Sequence, residues 1–308
     1  MNTFKSIAQQ NKLTLGLVFP IEAYKGSIPT MKNQEQLAQL AEEIGFKALW
    51  FRDVPFNDPS FGDAGQLYDP WIYMTHIMNH TKTIALATGS IILPLRHPVH
   101  TAKSIASLQT LSNGRIVLGL ASGDRPNEYP AFHKNLHKKS ELFRESFAYI
   151  KALQHNFPVH ESATYGTLNG TIDLLPKYNA HTPMLVTGHS GQSLDWIASN
   201  TDGWLYYPRD FRFLQENMQR WKRTLEKNEQ PWKPYMQSLY IDLLENPKTT
   251  PKGIHLGFQS GTEYLLSHLK ALESMDVNHV IINLKYSTRP IPTVLEEIGK
   301  HILPHFTH

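Results

Sequence analysis

Eight short apolar runs, each followed by a stretch of helical period, dominate this 308-residue chain. They occupy residues 13–19, 48–51, 84–93, 116–120, 184–187, 204–207, 237–244 and 279–284. Most are continuous rather than alternating, as expected of strands covered on both faces in a parallel sheet. Between them, Leu37, Leu40, Ala41 and Ile44 recur at helical spacing before Gly45, a residue suited to closing a helix. Leu214, Met218, Trp221 and Leu225 keep one stripe, as do Leu265, His268, Leu269 and Leu272. Ala102, Ile105, Ala106 and Leu108 cluster ahead of Gly114. Eight such alternations predict an α/β chain closed into a (β/α)8 TIM barrel, with residues 1–308 forming one domain. An open doubly wound sheet would use fewer strands or a second domain.

Composition narrows the chemistry. There is no cysteine, so thiolate metal sites, disulfides and cysteine nucleophiles are excluded. Thirty Lys and Arg against 27 Asp and Glu give a net charge of +3, too little to argue for nucleic acid. That excess is compatible with a phosphorylated small molecule. The basic stretch 133–139 lacks interleaved aromatics and reads as a solvated face. Residues 1–12 are polar and lack a signal-peptide core, and the most apolar window, 83–95, is broken by Gly89 and Pro94. The expectation is a cytoplasmic protein with no membrane partner, with homo-oligomers left open. His97 and His100 stand three apart with no carboxylate cluster nearby, so no metal is expected.

Three stretches exceed a simple strand–helix unit: residues 122–135, residues 161–176 and residues 246–259. The second suggests a hairpin around Asn169-Gly170. Loops following barrel strands form the catalytic face, so these insertions are expected to shape a pocket or its lid.

Two segments carry candidate chemistry. Residues 186–193 read VTGHSGQS between a strand and a helix. Gly188, His189, Ser190, Gly191, Gln192 and Ser193 offer close backbone approach, hydroxyl donors and a helix start, which suits a phosphate. A plain serine N-cap is the alternative. Gln192 stands where a serine-hydrolase elbow needs glycine. In the segment 86–129, Gly89 interrupts a strand, and Gly119 and Gly123 flank the end of the fourth run. Glycine inside a strand marks a bulge or the close approach of another backbone or a flat ligand.

The strand ending in TG, then LPLRHP, AKSIASLQTLSNGR and LGLASGDRPNEYPAF, resembles the bacterial luciferase-like flavin-dependent oxidoreductases. GFKALWFRD and VTGHSGQSLDWIASNTDGW extend the resemblance over most of residues 13–210. It implies a (β/α)8 barrel binding FMN, or a deazaflavin coenzyme, at its C-terminal mouth. Thr88, Gly89 and Ser90 match the bulged third strand beside the flavin ring, where members often carry a non-proline cis peptide. Residues 188–193 match the phosphate-binding turn, and Ser122 and Gly123 match a loop that also touches the phosphate. Glu128 matches a common acidic residue, and His97 the histidine of the HP pair.

Two departures matter. Ala121 and Ser122 replace the cysteine and arginine of the luciferases, so light emission is not implied. Val54 follows Asp53 where members carry histidine. Arg52 and Asp53 are the candidates for substrate contact or proton transfer, a structural ion pair being the alternative.

The implied activity is that of an FMN-dependent monooxygenase using reduced FMN and O2 on a small organic substrate. A separate flavin reductase is a further candidate partner. A deazaflavin- or NAD(P)H-coupled dehydrogenase is a second reading. A non-redox hydrolase or a flavin-binding protein without turnover is a third.

Overall fold

Each of the eight apolar runs contributes a parallel barrel strand in a computed structural model that describes residues 3–61, 65–178 and 180–306. The strands are β1 (Thr14–Val18), β2 (Ala48–Phe51), β3 (Ala85–Thr88), β4 (Ile116–Ala121), β5 (Met184–Thr187), β6 (Gly203–Tyr206), β7 (Tyr235–Leu243) and β8 (Val277–Asn283). Each pairs in parallel with its successor. β8 returns to β1 with Thr14 opposite His279 and Leu17 opposite Ile282, which closes the barrel.

The strands are buried on both faces because the side chains divide between two cores. Ala48, Trp50, Ala85, Ala87, Val117, Leu185, Leu205, Met236 and Ile281 form one cluster. Their chain neighbours, such as Leu49, Phe51, Leu86, Leu118 and Val186, belong to the larger cluster shared with the helices. With side-chain period 2, the first set fills the barrel and the second faces outward. Ile7 and Ala8 join the interior set. The helix Thr3–Ile7 therefore plugs the end of the barrel where the strands begin, away from the strand C-termini.

The surrounding helices are α1 (Gln34–Ile44), α2 (Pro70–Met78), α3 (Pro98–Leu111), α4 (Lys139–Ala152), α5 (Leu194–Asn200), α6 (Phe211–Lys227), α7 (Thr262–Ser274) and α8 (Ile291–His301). α1 carries Leu37, Ala38 and Ala41 on its buried face and ends at Gly45, with φ 106°. Proline opens α2, α3 and α8 within the first turn, where its missing N–H costs nothing. No helix among the described residues is long and apolar enough to cross a membrane.

Two local expectations change, and the insertion after β7 gains strands of its own. The run 84–93 is not one strand: β3 ends at Thr88, a cis peptide joins Gly89 to Ser90, and Ile91–Ile92 pairs separately with β4. Gly119 makes this bend fit, since a Cβ there would lie 2.1 Å from the Thr88 carbonyl oxygen. The hairpin in residues 161–176 pairs Val159–Ser162 with Gly166–Asn169, so its turn is at residues 163–165 rather than at Asn169-Gly170. In the insertion after β7, Lys252–Ile254 pairs with Gly257–Ser260, which lies parallel to β7 with Gly257 opposite Tyr240. Only glycine fits there, because a Cβ would meet the Tyr240 carbonyl at 1.8 Å.

Candidate active site

A cavity of about 390 Å³ opens at the C-terminal ends of the strands, within the range of small-molecule and cofactor sites. Arg52, Asp53, Gly89, Ser90, Ser122, Gly123 and residues 188–191 all reach its wall. The chain thus brings most of the candidate residues together from β2, β3, β4 and β5, although they lie up to 139 positions apart in sequence.

The turn after β5 is held open by its backbone. Gly188, Ser190 and Gly191 have φ of 57°, 47° and 73°, all left-handed. Ser190 tolerates this because its hydroxyl is locally satisfied: it donates to the Thr187 carbonyl at 2.9 Å and accepts the Ser122 amide at 3.2 Å. That second bond ties the β5 turn to the β4 loop. Gly191 sits so near α4 that a Cβ would fall 1.8 Å from Ser140 Oγ. Gln192 lies buried behind the turn, donating to the Ser140 and Ser190 carbonyls and accepting from Arg144 Nε at 2.9 Å. Ser193 caps α5, accepting the Trp196 amide. Gln192 and Ser193 therefore support the turn from outside the cavity wall.

Across β3, Thr88 is also behind the wall. Its hydroxyl accepts the Gly119 amide at 3.0 Å and donates to the Gly119 carbonyl at 2.8 Å, fastening β3 to β4. Ser90 does reach the cavity and shares a short hydrogen bond with the Thr187 hydroxyl. A Cβ added at Gly89 would meet only Trp50, at 3.3 Å from Cε3.

The two residues that follow β2 separate in role. Asp53 is almost fully buried, and both its oxygens are taken by Arg96, with Oδ2 also accepting the Ile92 amide at 3.0 Å. Arg96 reaches on to Asp69, the N-cap of α2. The partner of Asp53 is thus the arginine of LPLRHP, not Arg52. Asp53 lines the cavity while its carboxylate serves as the partner of Arg96. Arg52 lies in the cavity wall with its guanidinium packed against Gly65.

The wall carries Arg52, Arg125 and Lys139 against Asp53 and Asp124, while Arg96 neutralises Asp53 and the buried Glu128 faces Arg125 at 3.9 Å. A surplus of positive charge in a partly desolvated cleft favours an anionic group. His189, packed edge-on to Trp204 and Tyr206, is held below its ordinary range by burial, aided by the nearby charge of Arg220. Glu128 lies beneath the loop with Oε1 3.9 Å from Arg125 Nη1, a buried ion pair without a hydrogen bond, and burial pushes its carboxyl up to about 7. His97 caps α3 by accepting the Val99 amide through Nδ1, its structural role.

The cavity also uses residues outside the sequence-derived set: Trp50, Tyr206, Tyr207, Ser238, Tyr240, Leu256 and Asn283. Trp50 stands inside GFKALWFRD, so a signal for it existed. Leu256 comes from the insertion after β7, and no residue of the 159–169 hairpin reaches the wall.

The profile of the luciferase-like monooxygenases matches residues 13–239. An uncharacterized protein of Mycobacterium tuberculosis is 31% identical over 193 residues, spanning 56% of this chain and 67% of that one. The F420-dependent hydroxymycolic acid dehydrogenase of the same species is 29% identical over 188 residues, 56% of this chain but only 48% of its own length. Among solved structures, an F420-dependent secondary alcohol dehydrogenase superposes with a TM-score of 0.79 at 15% identity, covering 96% of this chain and all of that one. The oxygenating constituent of 3,6-diketocamphane monooxygenase from Pseudomonas putida, solved with FMN, gives 0.74 at 15% identity, covering 96% and 99%. These two share the barrel. The profile match covers most of the chain, and the protein is an enzyme of the luciferase-like monooxygenase family.

Proposed function

We propose that this enzyme is an FMN-dependent monooxygenase acting with reduced FMN and O2 on a small organic substrate. The observation carrying this reading is that one cavity holds both a left-handed turn at residues 188–191 and a side-chain-free gap at Gly89 beside Trp50. The first suits a phosphate and the second a flat ring, so the residues fit FMN.

In this reading the 188–191 turn and the Ser122–Gly123 loop hold the phosphate, with Lys139 and Arg125 supplying field. Gly89, Ser90 and Trp50 border the ring. Reduced FMN, when bound, supplies the electrons for oxygen activation, and a separate flavin reductase would deliver it. The protein's own work is orientation and exclusion of water. Tyr206, Tyr207, Tyr240 and Leu256 give the mouth an apolar lining, while Arg52 offers a fixed charge to a polar substrate group. Asp53 orients the end of β2 and the 91–96 segment through Arg96.

A deazaflavin-dependent dehydrogenase is the second reading, supported by the 29% identical F420-dependent relative. Dissociation constants for FMN and for F420, together with oxygen uptake on adding reduced FMN and candidate substrates, decide between them. Tighter FMN binding with substrate-dependent oxygen uptake supports the monooxygenase; selective F420 binding overturns it.

A further inference from the structure

His279 is an ionisable side chain with no exposed surface, placed on β8 in the barrel interior. Its two ring nitrogens are both engaged. Nε2 lies 3.0 Å from Trp50 Nε1, and Nδ1 lies 2.7 Å from Thr14 Oγ1. Indole nitrogen can only donate, so Nε2 must accept and Nδ1 must carry the proton. Thr14 then accepts from Nδ1 and has its own hydroxyl hydrogen for the Ile7 carbonyl at 2.6 Å, the shorter of two carbonyl contacts, that of Asn278 being at 3.3 Å. The tautomer of the imidazole is thereby assigned, and the ring is neutral. Burial drives its pKa down to about 3, in agreement.

The surrounding sequence makes room for this arrangement. A Cβ at Gly16 would lie 2.5 Å from His279 Nε2, so the histidine occupies space that any other residue on β1 would fill. At the other end of the chain, Trp50 forms part of the cavity wall and is the neighbour a Gly89 side chain would meet.

We propose that His279 is a positioning residue for the ring end of the cavity: it fixes the Trp50 indole beside Gly89, and is itself fixed through Thr14 by the N-terminal plug. The proposal rests on reading the Trp50–Gly89 gap as the place of the flavin ring. It makes the closed end of the barrel, at Ile7, a determinant of geometry at the open end.

The test uses the full chain with His279→Leu, which removes both hydrogen bonds, and His279→Gln, whose amide can accept from Trp50 and donate to Thr14. Trp50→Phe assigns the Trp50 indole N–H signal by NMR and serves as the second variant if His279→Leu fails to fold. FMN and riboflavin affinities are measured by flavin fluorescence, beside thermal midpoints. Expected for His279→Leu is a loss of about tenfold or more for both flavins alike, since both carry the ring, with a shifted Trp50 indole signal. His279→Gln should recover most of the affinity and the signal. Trp50→Phe should weaken both flavins to a similar extent, and adding His279→Leu to it should cost little more. Lowered midpoints with unchanged flavin affinity in His279→Leu, or full affinity in Trp50→Phe, overturn the positioning role alone. Failure of the unmodified protein to bind any flavin overturns the ring-site reading and this proposal together.

Discussion

The guanidinium of Arg96 grips both carboxylate oxygens of Asp53, at 2.8 Å from Nε to Oδ2 and 2.7 Å from Nη2 to Oδ1. The two residues are 43 positions apart, one just beyond β2 and the other following the Leu93–Leu95 turn. The pair locks the end of β2 to the segment that leads into α3.

Removing Arg96 should therefore be felt in stability first. Arg96→Met leaves a carboxylate with 2% side-chain exposure and no cation, a defect that typically costs about 3–5 kcal/mol. Urea unfolding measures it. Combining the change with Asp53→Asn should recover most of the loss, because the uncompensated charge is then gone. A cost below about 1 kcal/mol for Arg96→Met alone, a range typical of exposed ion pairs, would contradict this role.

Glu128 predicts a pH dependence of definite sign. Its carboxyl is raised by burial from 4.5 to about 7 in the folded protein, so between those values the folded state binds the extra proton. Stability from this group is full below about pH 4.5 and is lost as pH rises towards 7. Glu128→Gln cannot ionise, so relative to the parent it should gain stability across that window, on the order of 3 kcal/mol by pH 8. Chemical unfolding of both proteins at pH 5 and pH 8 checks it. A difference independent of pH would mean that Glu128 is ionised throughout.

Gly89 separates packing from binding. Its φ is not left-handed, and an added Cβ would press only on Trp50, so Gly89→Ala should fold with a small loss. Gly89→Val should also leave the barrel folded, while its branched side chain fills the gap proposed for the ring. Thermal midpoint and FMN affinity on one preparation decide. Retained affinity with a lowered midpoint would make Gly89 a packing residue.

The barrel was legible because its strands are continuous apolar runs and its helices carry separate stripes; periodicity alone sets both. The edges were less so. Residues 84–93 look like one strand, and only the backbone bend at Gly89 and Ser90 divides them. Local chemistry placed Ser190 and Gly191 on the cavity, since small residues at a strand–helix junction signal a turn. It could not distinguish Ser190 from Ser193, whose hydroxyl is spent on capping α5. Nor could it join Asp53 to Arg96 or Trp50 to His279, pairs made by the closing of the sheet rather than by sequence spacing. A lone histidine in an apolar strand carries no sign of its partner.

An FMN phosphate seated in the 188–191 turn is tested by comparing FMN with riboflavin on Ser190→Asp and Ser190→Asn. Both replacements tolerate the left-handed backbone at this position, but only aspartate adds a negative charge. Two unit charges about 4 Å apart repel by about 1–4 kcal/mol between aqueous and protein-surface dielectric, or about five- to several-hundred-fold in affinity. Ser190→Asp should weaken FMN within that range, leave riboflavin nearly unchanged, and differ clearly from Ser190→Asn. Equal losses for the two flavins in Ser190→Asp, or none for either, would contradict it.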